Sequence, residues 1–119
     1  MVLDLLLKNP LLFVVWVLAV VFALTIHEFC HALAAYAMGD KTAAAAGRLT
    51  LNPVAHIDPI GFLMLMVVGI GWAKPVPFNP YNLKYPKWGP VLVALAGPAS
   101  NLATFFILGF LAHILIGFG

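Results

Sequence analysis

The chain has 119 residues, 64% of them hydrophobic and 8% charged, with a formal net charge of +2. A soluble domain carries about 25% charged residues, so a chain this apolar cannot clothe itself in a water-facing surface, and composition places it in a membrane. The small charge and the lack of a basic cluster exclude nucleic acid as a partner, and a lone cysteine, Cys30, excludes an intrachain disulfide or a Cys-x-x-Cys site.

The first predicted helix covers residues 10–38. Pro10 suits a first helical turn, where its missing N–H is not needed, and Gly39-Asp40 suits a stop. Such a helix outreaches a hydrocarbon core of about 30 Å, so it tilts or projects. A signal peptide is not expected here. Lys8 is offset by Asp4, no small-residue cleavage signal stands out, and the apolar run continues to Met38.

Inside this run lies "HEFCH", with His27, Glu28 and His31 in a stretch otherwise suited to lipid; Glu28 is the chain's only glutamate. Residues four apart share a helix face, so His27 and His31 can aim their imidazoles at one ion while Glu28 stands about 100° to the side. This is the H-E-x-x-H pattern, in which two histidines hold Zn²⁺ and the glutamate is general base toward an attacking water. About one shuffled chain in a thousand of this composition would carry it. A carboxylate in mid-membrane costs about 2.5–3.5 kcal/mol on insertion scales, which marks it as functional unless it is paired. The bland alternative is a polar cluster gluing helices together. Cys30 points away from His31 and reads as a small apolar filler.

The first connector, residues 40–57, is the more polar one; "GRLTLNP" suits a short extended piece, and Asp40 reads as a solvated cap. A second helix is predicted over residues 59–72, capped by Asp58 with Pro59 behind it, short for a span and weakened by Gly61, Gly69 and Gly71. The second connector, "AKPVPFNPYNLKYPKWG", is stiffened by four prolines, and its aromatics suit the headgroup level. The third helix is predicted over residues 90–118, with Pro98 inside it and His113 as a lone histidine at a lipid interface or in packing. The expectation is an all-α membrane protein: one membrane-embedded domain over residues 1–119, with about three transmembrane or membrane-embedded helices and short extended connectors. Lys8, Lys74, Lys84 and Lys87 against Lys41 and Arg48 favour an N-terminus inside.

With "HEFCH", the pieces "GRLTLNPVAHIDPIG", "GWAKPVPFNP" and "ALAGPASNL" follow in order. Together they resemble the compact prokaryotic branch of the site-2 protease family of intramembrane zinc metalloproteases. The resemblance covers residues 25–102. It implies a zinc endopeptidase of a prokaryotic cell membrane, multi-pass in the lipid bilayer, that hydrolyses peptide bonds in or near transmembrane segments of substrate proteins. It implies His27 and His31 as metal ligands, Glu28 as catalytic base, and Asn101 near the substrate or the oxyanion, where an amide donor is useful. Helix–helix glue is the rival role for Asn101. Small residues at Ala96, Gly97 and Ser100 would let the third helix approach the first.

The family's third ligand, an aspartate in an Asp-Gly motif on a later helix, has no counterpart here, so the resemblance is to an incomplete protease core. Asp58 or His56 is the internal candidate for that third place. Their rival roles are helix cap for Asp58, and connector residue or partner orienting a ligand imidazole for His56. Val76 and Phe78 fit an edge that pairs with extended substrate, against the alternative of a Pro-stiffened surface loop. Two other readings stay open: an inactive homologue that binds membrane helices, and a membrane metal-binding protein. Sidedness also stays open, because the charge count and the resemblance disagree on it; so do oligomeric state and substrate identity.

Overall fold

A computed structural model describes residues 2–117. The fold is all-α: 72% of the described residues are helical, and no strand forms among them. Helix α1 spans Val2–Lys8, α2 Pro10–Ala37, α3 Thr42–Ala45, α4 Pro59–Val68 and α5 Gly89–Gly117, with 3₁₀ turns at Pro53–Ala55 and Pro80–Asn82. Two helices, α2 and α5, are long and apolar enough to cross a membrane. At 1.5 Å per residue each reaches about 42–44 Å, more than a hydrocarbon core of about 30 Å. With the shorter apolar α4 beside them, they make the chain a multi-pass membrane protein.

Each boundary has a local cause. The Asn9 side chain accepts from the Leu12 N–H at 3.1 Å, and Pro10 follows it at the start of α2. At the other end Gly39 takes φ +99°, and the Asp40 N–H closes back on the Ala35 carbonyl at 2.9 Å. α4 starts as expected, with Asp58 Oδ1 accepting from the Ile60 N–H. It stops at Val68, four residues before the predicted end, because Gly69 adopts φ +90° and caps it. The predicted end of the third helix, Phe118, lies outside the described residues.

The long helices run antiparallel and pack along one seam. On α2 the buried residues are Thr25, Glu28, Ala32 and Ala35; on α5 they are Gly89, Val93 and Gly97. Both sets recur at three- and four-residue intervals, and most members are small, which lets the backbones approach. Leu83 from the second connector closes the seam over Ala35 and Val93. Beyond Asn101 the large side chains of α5 are exposed, among them Phe105, Phe106, Phe110 and Leu115.

The two connectors pack on each other at the C-terminal end of α2. Asp40, expected as a solvated cap, is instead fully buried. It accepts from the Thr42 N–H and hydroxyl, from the Asn79 N–H at 2.6 Å and from the Asn82 amide at 3.4 Å. Burial alone would push this carboxyl up; the donors from Thr42, Asn79 and Asn82 outweigh it and hold it below its ordinary value of 3.8. The Arg48 guanidinium donates to the Lys74 and Pro75 carbonyls at 2.6 and 2.9 Å. A single antiparallel bridge joins Ile57 to Ala73, and the Lys74 N–H donates to the His56 carbonyl. These ties bring residues 74–79 over the α2–α5 seam.

Candidate metal centre

His27 and His31 stand on the face of α2 that meets α5, one turn apart. Their rings meet edge to face, with centroids 4.6 Å apart and planes at 81°, and the two Nε2 atoms converge to 3.0 Å. Each Nδ1 is held by α5. His31 Nδ1 lies 2.6 Å from the Val93 carbonyl oxygen, which can only accept, so Nδ1–H donates and, in the neutral ring, Nε2 carries the lone pair. His27 Nδ1 lies 3.0 Å from the Asn101 amide nitrogen. Val93, Gly97 and Asn101 recur at four-residue intervals on α5, so one stripe of that helix faces both imidazoles.

Gly97 makes this approach possible. A Cβ on it would fall 2.7 Å from both Nε2 and Cε1 of His27, and closer still to His31 Nε2. The missing methyl lets both imidazoles pack directly against the α5 backbone.

Two imidazoles on one helix face make up part of a zinc donor set. Two neutral imidazole lone pairs facing each other repel unless a proton or a cation lies between them. Two nitrogens at about 2.0–2.1 Å from a tetrahedral zinc stand about 3.3 Å apart, close to the separation seen here. The partners on the far nitrogens, a backbone carbonyl and an amide, are the kind that orient ligand histidines. A third donor is not gathered with them: among the described residues no three of His, Cys, Asp and Glu form a group able to hold a metal.

Glu28 is 9% exposed and borders two cavities. One, of about 300 Å³, is shared with His31, Val93, Val76 and Phe78; the other, of about 330 Å³, is shared with His27, Ala73 and Asn101. The structure therefore brings His27, Glu28, His31, Asn101, Val76 and Phe78 to one region.

It leaves Asp58 and His56 out of it. Asp58 caps α4 through Oδ1, and its Oδ2 accepts from the Trp72 indole N–H at 2.8 Å. That indole bond is the main reason its carboxyl sits below the ordinary value, ahead of the opposing effect of burial. His56 is fully buried, with Nε2–H donating to the Thr50 carbonyl and Nδ1 without a partner.

Two contributors escaped the sequence reading. The Val93 carbonyl is a backbone atom and leaves no mark in residue type. Gly97 was noted only as small; its position midway between Val93 and Asn101 was the available signal.

The sequence is 46% identical over 103 residues to "Putative zinc metalloprotease YwhC" of Bacillus subtilis (strain 168), covering 87% of this chain and 47% of that protein. It is 34% identical over 85 residues to "Putative zinc metalloprotease Rip2" of Mycolicibacterium smegmatis, covering 67% of this chain and 32% of the relative. For the Mycobacterium tuberculosis protein of the same name the figures are 36% over 92 residues, 72% and 35%. The chain spans about half the length of YwhC and about a third of the Rip2 proteins. No protein-family profile and no solved structure matches. The chain is thus homologous, over most of its own length, to part of proteins named as zinc metalloproteases.

Proposed function

We propose that this chain is the histidine-and-glutamate part of an intramembrane zinc metalloprotease of the site-2 type, folded as one membrane-embedded unit. It would act on peptide bonds in or near transmembrane segments of substrate proteins. The observation that carries this reading is the convergence of His27 Nε2 and His31 Nε2 to 3.0 Å, with Glu28 beside them on a cavity wall. Homology to proteins named as zinc metalloproteases supports it.

His27 and His31 would hold the ion, each oriented from α5. Zinc, when bound, supplies a Lewis acid for the scissile carbonyl and acidifies water. Glu28 takes the proton of the attacking water as its oxygen bonds to the carbonyl carbon. It then passes that proton to the amine as the C–N bond breaks. Val76 and Phe78 border the cavity beside Glu28 and His31, where an extended substrate would lie. Prolines at 75 and 77 remove alternate backbone donors, so pairing to this segment falls to the N–H groups of Val76 and Phe78. Asn101 borders the other cavity with Glu28, within reach of substrate.

A third protein donor is needed for a catalytic zinc, and the described residues do not gather one. That observation favours a second reading, a homologue that binds membrane helices without cleaving them. Glu28→Gln and His27→Ala decide between them. Zinc content and cleavage of a transmembrane reporter peptide are measured in proteoliposomes. The protease reading expects His27→Ala to lose zinc, and Glu28→Gln to keep zinc and lose cleavage at least a hundredfold. Cleavage that survives Glu28→Gln refutes the base, and a wild-type chain that binds zinc without cleaving supports the second reading.

A further inference from the structure

We infer that Asn101 is a positioning residue for His27, whose amide oxygen, turned toward His27 Nδ1, frees the His27 Nε2 lone pair for a metal. The inference rests on the zinc reading above and goes past it, because it assigns the amide's acceptor end to a ligand histidine.

The argument follows the protons. His31 is fixed: its Nδ1–H donates to the Val93 carbonyl, and Nε2 is left with the lone pair. For two neutral rings the 3.0 Å contact has His27 Nε2–H donating to His31 Nε2. A neutral His27 protonated on Nε2 has its lone pair on Nδ1, and the Asn101 amide nitrogen donates to it at 3.0 Å. This network is consistent at every atom but one. Asn101 Oδ1 is buried and has no hydrogen-bond partner.

A histidine that gives Nε2 to a metal must carry its proton on Nδ1, and then Nδ1 needs an acceptor. The group already at that position is the Asn101 amide. A half-turn of the amide exchanges oxygen and nitrogen with no change of shape. Oδ1 then accepts from His27 Nδ1–H, and the orphaned acceptor is satisfied. His27 and His31 reach the same state, each donating through Nδ1 to a carbonyl oxygen on α5, with both Nε2 lone pairs facing each other beside Gly97. The turned amide also leaves its N–H₂ in the place of the orphaned oxygen, as a donor without a protein partner. Asn101 is thus a two-position partner that follows the proton of His27.

The test compares Asn101→Asp, which keeps the acceptor and loses the donor, with Asn101→Leu, which has neither. His27→Ala is the reference. Zinc affinity of the full chain in detergent is measured by competition with a fluorescent chelator, and imidazole ¹⁵N shifts report the His27 tautomer. We expect Asn101→Asp to bind zinc at least as tightly as wild type and to hold His27 as the Nδ1–H tautomer even without metal. We expect Asn101→Leu to bind about 10–100-fold more weakly, with the His31 ¹⁵N shifts unchanged as the sign of an intact fold. If His27→Ala loses zinc while Asn101→Leu binds like wild type, the inference is wrong and the zinc site stands. If Asn101→Asp is as weak as Asn101→Leu, the role is structural and the inference is again wrong. If His27→Ala binds zinc like wild type, the zinc reading falls and takes the inference with it.

Discussion

Adding one methyl group to α5 tests the site's packing directly. In Gly97→Ala the new Cβ stands 2.7 Å from His27 Nε2 and Cε1, about 0.7 Å inside an ordinary van der Waals contact of 3.4 Å. Neither ring retreats freely. His31 is tied to Val93, one turn away on the same helix, and His27 is tied to Asn101, one turn the other way. Relief requires breaking one of these bonds or parting the helices. Overpacking of this kind costs about 1–3 kcal/mol, while alanine in place of glycine within a helix returns up to about 1 kcal/mol. Net stability should therefore fall by no more than about 3 kcal/mol.

Metal binding should suffer too, because ligand atoms tolerate only about 0.2 Å of displacement. We expect zinc affinity to drop at least tenfold, read by chelator competition, alongside a lowered temperature of thermal unfolding. Gly109 supplies the control: it lies on the same helix, and a Cβ there meets nothing within 4 Å. Gly109→Ala should leave zinc affinity unchanged. Wild-type zinc affinity in Gly97→Ala would refute the packing argument.

Other consequences are open to measurement. Asp40→Ala strips acceptors from the Thr42 and Asn79 N–H groups at a buried site and should destabilise the chain by about 2–3 kcal/mol, seen in thermal unfolding. Because the folded Asp40 carboxyl is held below 3.8, its contribution is fully present above that pH and is lost as pH falls through the lower folded value. The protection of the Asn79 amide against hydrogen exchange, relative to its intrinsic rate at each pH, should therefore fall on acidification below about 3.8, and a flat protection profile would count against the buried carboxylate. Asp58→Ala should lower the unfolding temperature through the lost cap and Trp72 bond while leaving zinc affinity unchanged. A loss of zinc in that variant would return Asp58 to the ligand set.

The parts of the fold that depend on nearest neighbours were legible in the sequence. Pro10, Gly39 and Asp58-Pro59 mark helix ends by their own chemistry, and α2 and α4 begin where these signals stand. The end of α4 was missed because three glycines within it or just after it compete, and only the left-handed turn at Gly69 decides. Asp40 was misjudged for a different reason: its donors at Asn79 and Asn82 lie about forty residues away, where no local pattern reaches. The site divides in the same way. The pairing of His27 with His31 follows from a four-residue step on one helix. The partners that orient them belong to another helix, and one of them, the Val93 carbonyl, has no residue-type signature at all.

The asymmetry of α5 has a consequence for how this sequence can drift. Up to Asn101 the helix is read by its neighbours, through glycines that admit other atoms and a backbone oxygen that must keep its place. From Leu102 onward its large side chains face outward, and their requirement is solubility in hydrocarbon rather than shape. Substitutions among leucine, isoleucine, phenylalanine and valine should accumulate freely in the second half and at the outward positions Val91, Leu92 and Leu95, and be purged from the stripe of Val93, Gly97 and Asn101. One continuous helix thus holds two regimes of constraint, and the stricter one ends with the stripe at Asn101.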